Sequence, residues 1–336
     1  MPSDILGRQT VKAMNKKTFW SSLAVAGSLL AVLIFSGRRK PVDTEIREKV
    51  FTERLEEELA ASEARFADII PGAEKTIVWA DSAQQKTPYS IVYIHGFSAT
   101  RQETAPLSDQ LSQKWGANLF YTRLSGHGRT DGQAMGEPTV NDWLNDADEA
   151  LEIGKRIGEK VIVIGTSTGG TLATWLASKY GAEEIAGVVL ISPNFWVQAP
   201  GAGAMLWPWG KQILHMVQGE SYEWEPFNEG HAQYWTNKYP SAALVEMMML
   251  LDHVNNLEFE AIDVPALFVY SPNDQVVVPE EIEAAYERFG STLKQIEPVD
   301  SVEDRNNHVL AGEILSPGST DDIADMIDGF IKSLPE

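Results

Sequence analysis

Short apolar runs alternate with segments of helical periodicity along most of the chain after residue 70. The runs are about four to eight residues long and rich in β-branched side chains, as expected for buried strands. They cover residues 75–80, 90–95, 117–124, 160–165, 185–191, 264–270 and 293–296. Between most of them, apolar residues recur at the spacing of a helix packed by one face. This alternation predicts an α/β fold, with a mostly parallel sheet, helices on both faces and ligands at the carboxyl ends of the strands.

The alternation stops between residues 194 and 263. This stretch holds five of the ten tryptophans of the chain and a methionine-rich helical pattern at residues 245–251. Aromatic side chains and flexible methionines are typical of a lid that lines an apolar pocket. The sequence therefore predicts a core made of residues 73–193 and 264–336, with a lid inserted over residues 194–263.

The first forty residues have a different pattern. Residues 18–36 carry no charge and lie between Lys16-Lys17 and the basic triplet at 38–40. At about 1.5 Å per residue, a helix of this length covers roughly 28 Å, close to the hydrocarbon thickness of a bilayer. Residues 1–40 are therefore predicted to be a tail and a single membrane-spanning anchor. Basic residues flank both ends, so the side of the membrane on which the core lies is undetermined.

A cleaved signal peptide is the alternative for this N-terminal stretch. A basic triplet stands where its small-residue cleavage site is expected, which favours the anchor. After it, residues 41–72 place their apolar side chains near one helical face among many Glu and Arg residues, and Pro71-Gly72 ends the pattern. We predict that residues 41–72 form an amphipathic linker helix.

Composition and charge narrow the classes of function. The chain has no cysteine, which excludes disulfides, thiolate catalysis and cysteine metal sites. The net charge is −21, and without residues 1–40, with seven basic residues and one acid, 20 basic residues remain against 47 acidic ones. This surface repels nucleic acid, so no nucleic-acid partner is predicted. Asp146, Asp148 and Glu149 have no histidine at ligand spacing beside them, and neither a metal nor another cofactor is predicted.

Residues 165–169, Gly-Thr-Ser-Thr-Gly, are the most informative motif. A predicted strand precedes them and a helical pattern follows, so Ser167 lies in a sharp turn between strand and helix. Glycine at 165 and 169 allows the chain to fold back there. A serine hydroxyl becomes a nucleophile when it is exposed on such a turn, within reach of a base and of backbone donors for an oxyanion. Ser167 is therefore the candidate nucleophile.

A serine nucleophile requires an imidazole base and a carboxylate that orients the imidazole. On a scaffold of this kind, the chain order is serine, acid, histidine. Asp274 comes shortly after the predicted strand at 264–270, and His308 is the only histidine that follows it. These two are the candidate acid and base. Asp300 is the alternative acid, although it is not at a strand end.

The loop His95-Gly96-Phe97 ends another predicted strand. Tetrahedral intermediates of acyl transfer carry a negative oxygen that two backbone N–H groups can bind. We predict that one group belongs to Thr168, directly after the nucleophile, and the other to Phe97. His95 and His127 are predicted to hold loops by hydrogen bonds.

Together these motifs resemble the α/β-hydrolase superfamily, and within it the lid-bearing branch of monoacylglycerol lipases and small carboxylesterases. The motifs that carry the resemblance are Gly165 to Gly169, His95-Gly96-Phe97, Gly126-His127-Gly128, Ser271-Pro-Asn-Asp274 and His308. The resemblance extends over roughly residues 75–333. It implies a nucleophile, a general acid/base, an orienting acid and an oxyanion hole, which are Ser167, His308, Asp274 and the N–H groups of Phe97 and Thr168.

The resemblance implies a serine hydrolase that cleaves carboxylic esters with an apolar acyl group through an acyl-enzyme. An aminopeptidase-like amidase, a thioesterase and an acyltransferase share the same triad and stay as alternatives. A membrane-tethered binding protein with an inactive triad is an alternative from another class. The predicted anchor favours lipid-derived esters no more than soluble ones, and the sequence does not determine an oligomeric state.

Overall fold

A seven-stranded sheet forms the centre of the protein. The structure is a computed structural model that describes residues 41–335 and, before them, residues 20, 21, 24, 25, 27, 28, 32, 36 and 37. The strands, in chain order, are β1 (Thr76–Val78), β2 (Thr87–Ile94), β3 (Asn118–Tyr121), β4 (Gly158–Thr166), β5 (Ile185–Ile191), β6 (Ser221–Glu223), β7 (Lys238–Pro240), β8 (Ala266–Tyr270) and β9 (Lys294–Pro298). The sheet order is β1-β3-β2-β4-β5-β8-β9, with β1 antiparallel to β3 and the other pairs parallel. The predicted mostly parallel sheet is confirmed.

Helices follow most of these strands. They are α1 (Leu55–Glu63), α2 (Leu107–Trp115), α3 (Val140–Ile157), α4 (Thr168–Tyr180), α5 (Gly210–Gln218), α6 (Glu229–Tyr234), α7 (Ala242–Asn255), α8 (Pro279–Arg288) and α9 (Thr320–Ser333). Helix α3 begins with a capping box, in which Thr139 and Asp142 bind each other's backbone N–H groups. Helix α8 begins with a proline, whose fixed φ suits the first helical position.

Alternate residues of the central strands enter two separate hydrophobic cores. Val92, Val163 and Leu190 point to the face that α3, α4 and α8 cover, while Ile91, Ile164 and Val189 point to the face that α2 and α9 cover. Burial on both faces explains why these strands read as continuous apolar runs in the sequence. The two layers of helices leave the carboxyl ends of the strands as the edge where loops meet.

Residues 194–263 lie over that edge. Their strands β6 and β7 form an antiparallel pair, and the buried face of α7 packs into the same core as α3 and α4. Just before β7, the Thr236 N–H donates to the Ser98 carbonyl at 2.7 Å, in the loop after β2. The inserted segment is therefore attached both to the core and to a loop at the carboxyl edge.

The linker helix predicted over residues 41–72 is much shorter in the structure. Only Leu55–Glu63 is helical, and residues 41–54 run along α3 without regular secondary structure. Their backbone is bound by side chains of α3, as where the Arg47 N–H donates to Asn145 Oδ1 at 2.8 Å. Backbone groups engaged in this way are not available for the hydrogen bonds of a helix.

The membrane-anchored localisation predicted from residues 18–36 is wrong. In the part of the chain that the structure describes, no helix combines the length and the apolar character needed to cross a bilayer. A span requires about 20 consecutive apolar residues in one helix. Most residues of the predicted anchor lie outside the described ones.

Candidate active site

Ser167 occupies a sharp turn between β4 and α4. Its φ of 55° and ψ of −118° lie in a region that residues with a Cβ rarely adopt. The turn closes because of two glycines: a Cβ on Gly165 would overlap the Gly169 carbonyl, and one on Gly169 would overlap the Ile94 carbonyl of β2. The Ser167 N–H donates to the Ile191 carbonyl of β5 at 2.9 Å. The backbone at Ser167 is thus held from both neighbouring strands.

Asp274 and His308 meet at the same edge of the sheet. His308 Nδ1 lies 2.7 Å from Asp274 Oδ2. The other carboxylate oxygen, Asp274 Oδ1, accepts from the N–H groups of Val276 at 2.7 Å and Val277 at 3.0 Å. A carboxylate fixed on both oxygens can select one imidazole tautomer, with the proton on Nδ1 and a free lone pair on Nε2.

The loop that carries His308 is itself tied to the sheet. Asp304 Oδ2 accepts from the backbone N–H groups of His308 and Val309 at 2.9 and 3.0 Å. The His308 carbonyl accepts from Ser192 Oγ at 2.8 Å, directly after β5. Since β5 also binds the backbone of Ser167, the strand connects the Ser167 turn to the histidine loop.

Electrostatics favour the protonated form of His308. Burial, the largest single influence, lowers its pKa, but the charge and hydrogen bond of Asp274, with the charges of Asp304 and Glu103, raise the pKa above its usual value overall. An imidazole in this setting is a base only above its raised pKa and becomes a stable imidazolium after it takes a proton.

The predicted oxyanion donors lie on two segments beside Ser167. Thr168 is the first residue of α4, where a backbone N–H has no partner within the helix. The loop that carries Phe97 passes close by, since a Cβ built on Gly96 would lie 3.2 Å from Ser167 Cβ. The structure thus brings Ser167, Thr168 and the Phe97 loop together, and Asp274 and His308 to the same edge.

Two other histidines, His95 and His127, are fully buried near this loop. Burial is the largest cause that lowers their pKa values, to about 3 for His95 and about 4 for His127. His95 Nε2 accepts from the Leu124 N–H at 3.1 Å, and His127 Nδ1 donates to the Ser125 carbonyl at 3.0 Å. Both imidazoles are neutral at ordinary pH, which fits the loop-holding role predicted for them.

Sequence reasoning missed one residue of this edge, Glu103. Its side chain is 2% exposed, and Oε1 accepts from the Gly96 N–H at 2.6 Å and from the Tyr93 hydroxyl at 2.8 Å. Burial is the main cause that raises its pKa to about 7. The only signal in the sequence is an acid eight positions after the loop histidine, and such an acid is usually solvated.

Aromatic side chains cover the Phe97 loop. The Phe97 ring stands edge-on to Trp143 of α3 at 5.9 Å between centroids and to Tyr239 of the inserted segment at 5.5 Å. A separate cavity of about 440 Å³ lies between the N-terminal segment and the insertion, beside Val42, Trp209 and Met249. None of the predicted site residues lines that cavity. Among the described residues, no group of three or more His, Asp or Glu side chains is placed to hold a metal ion.

Comparison with known proteins identifies the family. The Hydrolase_4 family model, described as serine aminopeptidase, S33, matches residues 85–302. The matched part runs from the turn before β2 to beyond β9 and includes Ser167 and Asp274, whereas His308 lies just past its end.

Similar proteins are lipases and esterases. The chain is 28% identical to a thermostable monoacylglycerol lipase of Bacillus sp. (strain H-257) over 209 residues, which are 62% of this chain and 80% of that protein. A structure from work on the metagenome-derived lipolytic enzymes LipS and LipT has a TM-score of 0.66 at 22% identity, over 79% of this chain and 99% of that one. A soluble variant of the monoglyceride lipase of Saccharomyces cerevisiae, bound to a substrate analogue, has a TM-score of 0.60 at 15% identity, over 89% of this chain and 99% of that one. The structural likenesses show that the α/β-hydrolase fold is shared.

Proposed function

Because the chain belongs to the Hydrolase_4 (serine aminopeptidase, S33) family of α/β hydrolases, we propose that it is a serine hydrolase that cleaves carboxylic esters with apolar acyl groups. The similar proteins support the broader class, a lipase- or esterase-like hydrolase. The observation that carries the narrower proposal is the 2.7 Å contact between Asp274 and His308 at the sheet edge where Ser167 occupies its strained turn.

In the proposed reaction, His308 Nε2 takes the proton of Ser167 Oγ while Oγ attacks the ester carbonyl carbon. The carbonyl oxygen becomes an oxyanion, which the N–H groups of Phe97 and Thr168 stabilise. When the carbon–oxygen bond breaks, His308 gives its proton to the leaving alcohol. Asp274 keeps the imidazole in the required tautomer and stabilises the imidazolium.

A water molecule completes the proposed cycle. His308 takes one of its protons, the hydroxide adds to the acyl carbon, and collapse of the second tetrahedral intermediate returns the proton to Ser167 Oγ and releases the acid. The balance is one ester and one water converted into one alcohol and one carboxylic acid, without a cofactor.

We assign the inserted segment, residues 194–263, the role of a lid that shapes the acyl pocket. Tyr239 contacts the Phe97 loop, and Trp235 packs in one apolar cluster with Val309, the residue after His308. Aromatic side chains thus lie against both the Phe97 loop and the histidine loop, and such surroundings suit an apolar acyl chain. Monoacylglycerols and related lipid-derived esters are the proposed substrates, by analogy with the monoacylglycerol lipase to which the chain is similar.

An amidase is the second candidate, because the description of the family is serine aminopeptidase. The same nucleophile and base serve both reactions, but an amide needs its leaving nitrogen protonated before the bond breaks. A rate comparison between an ester and the amide of the same acyl group separates the two. Faster hydrolysis of the amide would replace the ester proposal.

The first experiment is hydrolysis of p-nitrophenyl esters of increasing acyl length by the full chain. Wild-type turnover is expected to depend on acyl length, and Ser167→Ala is expected to lower kcat by roughly 10⁴–10⁶-fold because it removes the nucleophile. Ser82→Ala, at an exposed position on the turn before β2, is the matched control and should retain wild-type activity. Circular dichroism checks that both variants fold. Full activity in Ser167→Ala would refute serine catalysis at this position.

A further inference from the structure

Glu103 is a buried carboxylate with two donors, placed under the loop that carries Phe97. It ends a short 3-10 turn, Arg101–Glu103, which Thr100 caps with its side chain. Glu103 Oε1 accepts from the Gly96 N–H at 2.6 Å and from the Tyr93 hydroxyl at 2.8 Å. Hydrogen bonds to an ionised acceptor are among the stronger ones in proteins. The ionised carboxylate therefore fixes the loop one residue before Phe97.

The same carboxylate lies next to the nucleophile turn. A Cβ built on Gly96 would lie 3.0 Å from Glu103 Oε2 and 3.2 Å from Ser167 Cβ, so both groups border one small space. The Tyr93 hydroxyl, which binds Glu103, also lies 3.0 Å from Oγ1 of Thr166, the residue before the nucleophile. Glu103 is thus connected to both segments that are proposed to supply oxyanion donors.

Glu103 also faces the histidine loop. Its backbone carbonyl is packed against Gly312, where a Cβ would come within 2.5 Å of it. The acids whose charges act on His308 come from three segments: Asp274 after β8, Asp304 in the histidine loop and Glu103 after β2. Asp274 and Asp304 each hold the histidine by a hydrogen bond, to its ring and to its backbone. Glu103 acts on the imidazole through its charge.

The charge on Glu103 changes in the pH range where a histidine works. Burial, the largest influence, raises its pKa to about 7, against the opposing effects of the Gly96 N–H, the Tyr93 hydroxyl and the charge of His308. Near neutral pH Glu103 is therefore partly ionised, and its negative charge and the positive charge of protonated His308 each favour the charged form of the other.

We propose that Glu103 is a positioning residue of this site: its carboxylate holds the Phe97 loop through the Gly96 N–H, and its negative charge stabilises protonated His308. The inference rests on the proposed serine-hydrolase function and adds an acid outside the Ser167–His308–Asp274 triad. A glutamine at position 103 has a carbonyl oxygen for the two donors, so Glu103→Gln separates the charge from the hydrogen bonds.

The test is the pH dependence of kcat/KM for a p-nitrophenyl ester in wild type and Glu103→Gln. Without the negative charge, His308 loses its proton at lower pH, and the acid limb of the profile should move to lower pH by roughly 0.5–1 unit. Glu313→Gln is the matched control, because Glu313 is an exposed acid on the chain after His308. Solvent screens the charge of Glu313, so the acid limb of the Glu313→Gln variant should coincide with that of the wild type.

Tyr93→Phe is a second variant for the case in which Glu103→Gln does not fold. It keeps the carboxylate but removes one donor that favours ionisation, so Glu103 carries less charge near neutral pH. The acid limb should again move to lower pH, by less than in Glu103→Gln. A purely structural role for Glu103 would lower kcat without moving the limb.

An acid limb that stays in place or moves to higher pH in the folded variants overturns the inference, while wild-type turnover leaves the proposed function standing. Absence of turnover in the wild-type protein overturns the proposed function and the inference with it.

Discussion

The carboxyl edge of the sheet and the inserted segment over it are held by different forces. At the edge, Ser167, Asp274 and His308 are 7%, 3% and 8% exposed, and hydrogen bonds with backbone groups or carboxylates fix each segment that carries them. The insertion also makes hydrogen bonds to the core, such as that of the Thr236 N–H, but its aromatic and methionine side chains pack into apolar clusters, and Trp207 is 63% exposed. Hydrogen bonds are directional, whereas apolar contacts tolerate repacking.

This difference leads us to expect that the edge carries out the reaction and that the insertion affects the choice of substrate. A reaction that depends on the positions of single atoms needs the directional contacts of the edge. Selection among acyl chains depends on the volume and shape of an apolar surface, which the insertion would provide as the proposed lid. Changes at the edge should therefore affect kcat strongly, and changes in the insertion should affect stability and substrate preference.

The largest effect is expected from Asp274→Asn. The variant loses the carboxylate that orients His308 and should lower kcat by roughly 10³–10⁴-fold with little change in folding. Asp300→Asn is the matched control, since Asp300 is the exposed alternative acid, and its backbone carbonyl, which the substitution keeps, accepts from Asn273. Steady-state kinetics with an ester substrate, measured for both variants, decides whether Asp274 or Asp300 is the acid that orients His308. A large loss in Asp300→Asn with an active Asp274→Asn would reverse the assignment.

A smaller loss is expected from Gly96→Ala. The added Cβ would lie 3.0 Å from Glu103 Oε2 and 3.2 Å from Ser167 Cβ, so the Phe97 loop or these neighbours must move by a few tenths of an ångström. We expect kcat to fall by about 10–100-fold, since oxyanion donors act over short distances. Gly329→Ala in α9 is the control, because a Cβ there meets nothing within 4 Å, and helix propensity should make that variant slightly more stable. Wild-type kcat in a folded Gly96→Ala variant would show that the loop is not so constrained.

In the insertion, Trp235→Ala should affect stability more than chemistry. The Trp235 side chain is 7% exposed and packs with Ala99, Val309 and Leu315, so its loss should cost about 3 kcal/mol in the free energy of unfolding. Trp207→Ala, at an exposed tryptophan, should stay within about 0.5 kcal/mol of wild type. Urea denaturation measures both. If the folded Trp235→Ala variant reacted with a fluorophosphonate as slowly as Ser167→Ala, the division between edge and insertion would fail.

The smallest expected effect is a shift in the pH dependence of kcat/KM. Because the surrounding acids raise the pKa of His308 overall, the acid limb of kcat/KM should have its midpoint above the ordinary histidine value of about 6.5. Activity is then complete above the raised pKa and lost as pH falls through it, since only neutral His308 can take the serine proton. A midpoint below the ordinary value would mean that burial outweighs the acids.

Much of the fold could be predicted from local patterns. The strand, turn and helix around Ser167, the capping pair of α3 and the mostly parallel sheet follow from apolar spacing and from small residues at tight turns. The α/β-hydrolase resemblance is likewise confirmed. The catalytic assignments and the lid stay predictions that the experiments above test.

Other features could not be read from the sequence. Residues 41–54 have an apolar pattern that suits a helix, but α3 supplies side chains that bind their backbone instead. Glu103 looks like an ordinary surface acid, yet it is buried between the Phe97 loop and the histidine loop. Neither outcome is encoded by neighbouring residues, because both depend on partners that are distant in the chain.

The sequence by itself determined the alternation of strands and helices, the sharp turn at Ser167 and the order of the candidate triad, since these depend on period, residue size and chain order. The tertiary structure alone decided that the charges of two further acids, Asp304 and Glu103, act on His308 besides that of Asp274. The charge of Glu103 reaches the histidine only after β2, β4 and β5 pair side by side. Charge interactions act through space, so the electrostatics of the site exist only once the sheet has brought these loops to one edge.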